Sequence, residues 1–426
     1  MKKKKTLIIC RSFFPYAPTF GGAVRILKLC DFLLQQGFEV HVLAARGEFI
    51  STYGYDELLD KIKITYVEDK LQKYICLQEL NKTAQKRIDV GKTHLINKVI
   101  GRMKKILSNF STPDLGVFFI NNYVCVAKKI INEHHIKNVI VSTPPHSDQL
   151  IGLKLKKHYK NKIKFIVDYR DSWNCSPIFS KSSFFLRKYS EAMEKKVISS
   201  ADYFTCISEP MLTKLTKLYP SIINLNNKSS LIMNGFDEDQ FSLLFDGQKV
   251  DDGIFRIGYF GSMSDEEGSY RNPTIFFEAL EKIDLPIKVI IYGPVSINSK
   301  WLRRLESKLE VHPPVGHVEA LRLMQDMDIL MLLISKYDGV DEIMTGKFFD
   351  YVLVGRKVLS IGPKTMAVCN IIEKENIGYI APFDNQKEIV SVLKRLVKYG
   401  VKTFDGKQYI KYSRQNQYNK FLEILD

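Results

Sequence analysis

The 426-residue chain contains no run of 18 apolar residues, so no transmembrane helix is expected. It contains no C-x-x-C, and its seven cysteines (10, 30, 76, 125, 175, 206 and 369) are scattered, which points to a reducing, cytosolic compartment. No His/Cys cluster has zinc-ligand spacing. The absence of G-x-G-x-x-G removes the main support for a dehydrogenase. "GVDEIMTGK" has the wrong spacing for a P-loop, and Phe348 stands where a Ser or Thr would hold magnesium. Asp237-x-Asp239 and Asp326-x-Asp328 imitate a metal-binding D-x-D, but the first falls in a linker. The second falls between a helix end and an apolar strand, where local capping is the simpler role. Neither a metal nor a cofactor is expected. Nucleic acid is a weak candidate too, because no helix-turn-helix, zinc or RNP-type signature is present.

What is present is an ordinary globular composition, 45% hydrophobic and 26% charged, in a chain too long for one core. The net charge of +16 is uneven. Residues 1–200 hold 35 Lys and Arg against 17 Asp and Glu, whereas residues 201–426 hold 28 against 30. Either the first half has a lysine-rich surface of no special purpose, or it faces something anionic, such as a membrane surface. "MKKKKTLIIC" resembles a signal peptide only at its start. Its apolar part ends at Arg11, so it is read as a basic tail leading into a first strand. In "THLINKVIGRMKKILSNF" (93–110) the apolar residues share one helical stripe and the basic ones lie largely off it. Such a helix lies in a membrane interface or packs its stripe on its own domain.

Short β-rich runs alternate with helix-length amphipathic segments. The first half offers "TLIIC" (6–10), "FEVHVLAA" (38–45), "IKITYV" (62–67), "NVIVST" (138–143), "KFIVDY" (164–169) and "YFTCIS" (203–208). The second half offers "FRIGYFGS" (255–262), "IKVIIYG" (287–293), "DILMLLIS" (328–335), "KVLSIG" (357–362) and "GYIAP" (378–382). This alternation predicts right-handed βαβ units and two doubly wound parallel sheets. "LIMNGFDEDQF" (231–241) is the linker signal between them, so the predicted domains are 1–237 and 238–410, with a terminal helix over 411–426. Ligands of such sheets bind at the C-terminal ends of the strands.

Two loops at strand ends carry chemistry. "GSMSDEEGSYRNP" (261–273) has glycines that admit a ligand to the backbone, and Arg271 forks well onto phosphate. The loop then opens a helix whose N-terminus favours anions. "MTGKFFDYVL" opens another helix, with Thr345 and Gly346 at its start and Lys347 beside them. Lys347 and Asp350 are three apart on a helical face, so a plain surface ion pair is the alternative. Glu342, eight residues before Asp350, precedes this helix. Both carboxylates then turn toward one ligand lying over the helix start, a shape that suits a sugar on a nucleoside diphosphate.

Taken in order along the chain, these segments resemble the retaining GT-B glycosyltransferases, specifically glycosyltransferase family four. "FFPYAPTFGGAVRILKLCDFLLQQGFEVHVLAA" is similar to the family's opening strand, Gly-Gly loop and first helix. "VSTPPHS", "VDYRDSW", "ISEPM" and "LIMNGFDEDQF" resemble its further first-domain loops. "YFGSMSDEEGSYRNP", "VGHVEALRLMQDMDILMLL" and "DEIMTGKFFDYVLVGRKVLSIG" resemble its phosphate loop, base-side segment and E-x7-E region, the last with Asp350 where the family has Glu. "YSRQNQYNKFLEIL" resembles its final helix.

The resemblance implies two Rossmann-like domains facing a central cleft, with the last helix crossing back. It implies metal-independent transfer, with retention, from a UDP- or GDP-linked sugar to a glycan or lipid-linked acceptor, in bacterial surface polysaccharide synthesis. By position, Arg271 and Lys347 bind the diphosphate, with Gly261, Ser262, Thr345 and Gly346 around it. Glu342 faces the sugar, Asp350 the ribose, and Val315, Gly316 and His317 the base. Gly21, Gly22, Asp168, Arg170 and Asp171 shape the acceptor side. His146 either contacts the transferring sugar or is a satisfied structural histidine. The protein is expected in the cytoplasm, at the inner face of the plasma membrane if the acceptor is lipid-linked. Two alternatives stay open: a sugar-nucleotide epimerase of the same fold, and a non-catalytic sugar-nucleotide-binding subunit.

Overall fold

The computed structural model describes residues 4–85, 111–176, 183–220, 222, 228–244, 252–335 and 339–426, so the amphipathic segment 93–110 lies outside the described residues. The chain forms two compact units. One is Met1–Ile232 with Tyr418–Asp426; the other is Met233–Gln417.

The first unit is built on seven parallel strands: β1 (Lys5–Ile9), β2 (Glu39–Arg46), β3 (Lys63–Glu68), β4 (Asn138–Thr143), β5 (Lys164–Tyr169), β6 (Tyr203–Cys206) and β7 (Ser229–Leu231). Their order is β3-β2-β1-β4-β5-β6-β7. Leu7 of β1 stands opposite His41 of β2 on one side and Val139 of β4 on the other, so the strand order reverses between β1 and β4. A doubly wound sheet opens its ligand crevice at such a point. The central strands are buried on both faces, as continuous Ile/Val/Leu runs require. Ile8, Phe13, Leu27, Leu33, Val42 and Ile140 form the core together with Tyr418, Phe421, Ile424 and Leu425 of the helix Arg414–Leu425.

The second unit repeats the scheme with β8 (Phe255–Phe260), β9 (Met263–Ser264), β10 (Ile287–Tyr292), β11 (Val295–Ser296), β12 (Leu309–His312), β13 (Ile329–Leu333), β14 (Val358–Ile361) and β15 (Gly378–Ala381). Six of them form a parallel sheet, β12-β10-β8-β13-β14-β15, while β9 and β11 pair beyond it. Here β8 is the turning point, flanked by β10 and β13. Ile257, Phe277, Val289, Trp301, Met331, Leu359 and Leu393 fill its core.

The strands expected from apolar runs are present, with limits within two residues of the expected ones. The edge strand β12 escaped that reading, because "LEVH" is four residues long and half polar. Among the described residues no helix is long and apolar enough to cross a membrane, and all seven cysteines are free.

Candidate active site

In the second unit the site grows from the ends of β8 and β10. Gly261 ends β8 with φ +143°, and Gly293 ends β10 with φ +151°, a region that favours glycine. Each is also sterically required. A Cβ at Gly293 would overlap the Gly261 carbonyl, and one at Gly261 would overlap the Lys347 ammonium. The sheet therefore opens a slot at its C-terminal edge, and the lysine fills it.

Lys347 lies in the first turn of the helix Gly346–Leu353, which is anchored by the buried Phe348, Phe349, Tyr351, Val352 and Leu353. Its Nζ sits 4.3 Å from the centre of the Tyr259 ring. The Tyr259 hydroxyl donates to the Ser262 carbonyl at 2.8 Å, which steadies the loop leaving β8. Arg271 donates from Nη1 to the Ser262 hydroxyl at 2.6 Å and lies over the Tyr270 ring at 4.8 Å. Burial of its ammonium, and then the Arg271 charge, lower the Lys347 pKa to about 7 against the opposing pull of Asp350. Two cations thus converge on a helix start whose cap residue, Thr345, makes no side-chain capping bond. First-turn N–H groups of a helix have no partner within it and attract anions. Chemically, this corner can receive concentrated negative charge.

Asp350 is one turn further along the same helix. It faces His317 at 3.3 Å across the start of the helix His317–Gln325, and that hydrogen bond raises the imidazole pKa. Gln240 stands 3.4 Å from the other ring nitrogen. Val315 is half-buried and Gly316 exposed just ahead of that helix. Glu342 is buried in a single turn, Val340–Glu342, before the lysine-bearing helix. Gly261, Ser262, Arg271, Lys347 and Asp350 are therefore brought into one neighbourhood, with His317 joined through Asp350. Sequence reasoning missed Tyr259 and Tyr270, the aromatic rests for the two cations. Neither a tyrosine inside an apolar strand nor one in a loop carries a signal that a cation will rest on its ring.

In the first unit, His146 follows the adjacent prolines 144 and 145 after β4. Its ring stacks on Trp173 with centroids 5.7 Å apart and planes at 14°. Burial drives its pKa down to about 4; Asp114 acts against that shift and Arg170 with it, so the imidazole is neutral at ordinary pH. Arg170 donates to the carbonyls of Thr143 (3.3 Å) and Pro144 (2.5 Å). A side chain at Gly22 would overlap this guanidinium, so Gly22 exists to admit it. Gly21 and Asp171 are exposed.

Asp168 is wholly enclosed. Arg25 grips it through Nη2 at 2.9 Å and Nε at 3.3 Å, and the hydroxyls of Ser142 and Thr205 each donate at 2.7 Å. These bonds hold its pKa low against burial. Arg25 also donates to the Ile232 carbonyl, tying the helix Phe20–Gln35 to the end of the sheet. Arg25 was not foreseen, because it looks like any helix arginine until the tertiary pairing is known.

Among the described residues one group has metal-ligand character. Donor atoms of Glu39, His41 and His134 all lie within 4.8 Å of one another. Glu39 already accepts from Lys63 at 2.8 Å with Lys5 at 3.6 Å, and it opens β2, at the end of the sheet away from the strand C-termini.

No protein-family model and no curated protein matches this sequence. Solved structures do match over essentially the whole chain. The lipopolysaccharide outer core galactosyltransferase WaaB is 13% identical, with 99% of this chain and 98% of that one covered, at a TM-score of 0.63. Anabaena Alr3699/HepE, solved in complex with UDP and glucose, is 11% identical over 99% of both chains, with a TM-score of 0.59. UDP-GlcNAc 2-epimerase from Neisseria meningitidis, bound to UDP-GlcNAc, is 13% identical over 99% of both chains, with a TM-score of 0.52. The fold is that of the GT-B glycosyltransferases, two parallel-sheet α/β domains.

Proposed function

We propose that this chain is a retaining, metal-independent glycosyltransferase of the family-four type. In this reading it moves a sugar from UDP or GDP to a glycan or lipid-linked glycan acceptor of the bacterial surface. One observation carries the reading: the Lys347 ammonium lies against Gly261 in the field of Arg271, which is hydrogen-bonded to the next residue, Ser262, so two like charges share a corner that a diphosphate would relieve. Glycosyl transfer builds negative charge on the departing diphosphate, and preorganised cations and helix amides aimed there stabilise it. In this mechanism Ser262, Thr345 and Gly346 complete the phosphate cradle. Asp350, steadied by His317, takes ribose hydroxyls, although it is a methylene shorter than the family's glutamate. Val315 and Gly316 border the base, and Glu342 faces the sugar. On the acceptor side the neutral His146 offers hydrogen bonds to the transferring sugar without adding charge, and Arg170, Asp171, Gly21 and Gly22 shape the approach. Asp168 acts from behind by fixing Arg25. An acceptor held on lipid would place the enzyme at an anionic membrane, to which the basic first half is suited.

The likeness of the fold to an epimerase that binds UDP-GlcNAc supports a second reading, conversion of the donor alone. Incubation of the protein with UDP- and GDP-sugars, with and without a glycan extract, separates the two, because only a transferase needs an acceptor. Lys347→Met should cut transfer about 10²–10³-fold, the loss seen on removing one donor to a developing oxyanion. It should leave the thermal midpoint unchanged or raised, since a desolvated cation is removed. Unchanged turnover in that variant would overturn the proposal.

A further inference from the structure

Beside Gly21 and Gly22, residues with no part in the mechanism above gather past the ends of β1 and β2. Phe20 opens the first helix, Phe14 follows β1, and Tyr53 and Tyr55 come from the loop after β2. The Phe20 and Tyr53 rings are 4.7 Å apart at 57°. Phe14 touches both, at 6.2 and 5.9 Å, and Tyr55 at 5.9 Å. Phe14 is fully buried, yet Phe20 is 44% and Tyr53 49% exposed.

The backbone supports this display at a cost. Tyr53 has φ +51° and Gly54 φ +79°, inside a turn closed by the Tyr55 amide on the Thr52 carbonyl at 3.0 Å. A tyrosine is a poor choice for left-handed backbone, and strain of this kind gathers at functional positions. The loop is also pinned rather than loose, since the amides of Ile50 and Ser51 donate to the Pro15 carbonyl at 3.0 and 3.3 Å.

We infer that Phe20 and Tyr53 form a stacking platform for a pyranose ring of the acceptor glycan. The inference rests on the glycosyl-transfer reading and names the chemistry of its acceptor. A pyranose presents an apolar C–H face bearing slight positive charge and a rim of hydroxyls, while an aromatic face carries negative charge. Polar groups suited to the rim surround the pair. Thr19 is exposed and makes no capping bond to the helix it precedes, and Ser51 and Thr52 carry hydroxyls. The exposed Phe20 and Tyr53 rings are set among these polar groups, which suits a sugar better than an acyl chain.

The test uses the full chain and saturation-transfer NMR with free trisaccharides of glucose, galactose and N-acetylglucosamine as probes. Tyr53→Gly removes the ring and suits the backbone, so the thermal midpoint should hold or rise. Phe20→Ala is the second variant. At least one trisaccharide should bind the wild type, and each variant should weaken it by about tenfold, the upper range of one aromatic stack. The thermal shift produced by UDP or GDP, whichever binds, should be the same in all three proteins. Equal saccharide affinity in wild type and variants, or no binding of any trisaccharide at millimolar concentration, would overturn the platform. So would phosphatidylglycerol vesicles that capture the wild type and not Tyr53→Gly. Absence of any thermal shift with either UDP or GDP in wild type, with saccharide binding intact, would instead overturn the transfer reading.

Discussion

Each unit buries charge near the C-terminal edge of its sheet, and the two do so in opposite ways. In the first, Arg25 and Asp168 close on each other with two hydroxyls and a carbonyl completing the set. In the second, Lys347 and Arg271 share a corner with like charge, and Asp350 leans toward His317. A buried charge that meets its counter-ion inside the protein holds elements together. One set beside another of its own sign has no such internal partner to close on, which is what the proposed diphosphate site would use.

Breaking the sealed pair should have the largest effect. Arg25→Met leaves the Asp168 carboxylate buried and uncompensated, and should cost about 3–5 kcal/mol in denaturant unfolding of the first unit. Adding Asp168→Leu should recover much of that loss; equal destabilisation in the double variant would show that the pair does not act as one.

The open cations should respond to pH instead. Between about pH 7 and the ordinary lysine value near 10.5, the unfolded chain holds a proton that folded Lys347 has released. Stability of the ligand-free protein should therefore rise with pH across that window, and Lys347→Met should abolish the rise. UDP affinity should run the other way. A diphosphate favours the ammonium, so its Kd, read by calorimetry, should climb toward tenfold per pH unit above about 7. A flat profile would mean that the lysine does not face the phosphate.

The smallest effect belongs to His317. Its raised pKa makes its pairing with Asp350 stabilising below about pH 6.5, a contribution lost as pH rises through the folded value. The imidazole is half exposed, so His317→Gln should cost under about 1 kcal/mol at pH 6 and nothing measurable at pH 8.

The architecture was legible because Ile/Val-rich runs such as Val139–Val141 and Phe165–Val167 are what a strand covered on both faces must be. Glycines at strand ends marked the loops for the same local reason. The electrostatic partners were not legible. Asp168 draws on Arg25, Ser142 and Thr205, which lie on a helix and two neighbouring strands, and only the register of the sheet aligns them. Tyr259 beneath Lys347 is likewise a product of packing, 88 residues away in sequence. The turn at Tyr53 hid for another reason, since a left-handed tyrosine contradicts the preferences a sequence reader relies on.

The residues Tyr418, Phe421, Ile424 and Leu425 complete the core of the unit that begins the chain, after the whole of the other unit has intervened. On a ribosome, the first unit must therefore wait with an unfilled apolar face until Tyr418–Leu425 have been translated, after the whole of the second. The order of maturation is the reverse of the order of synthesis, and a chain cut just before Tyr418 would be injured in its oldest part rather than its newest.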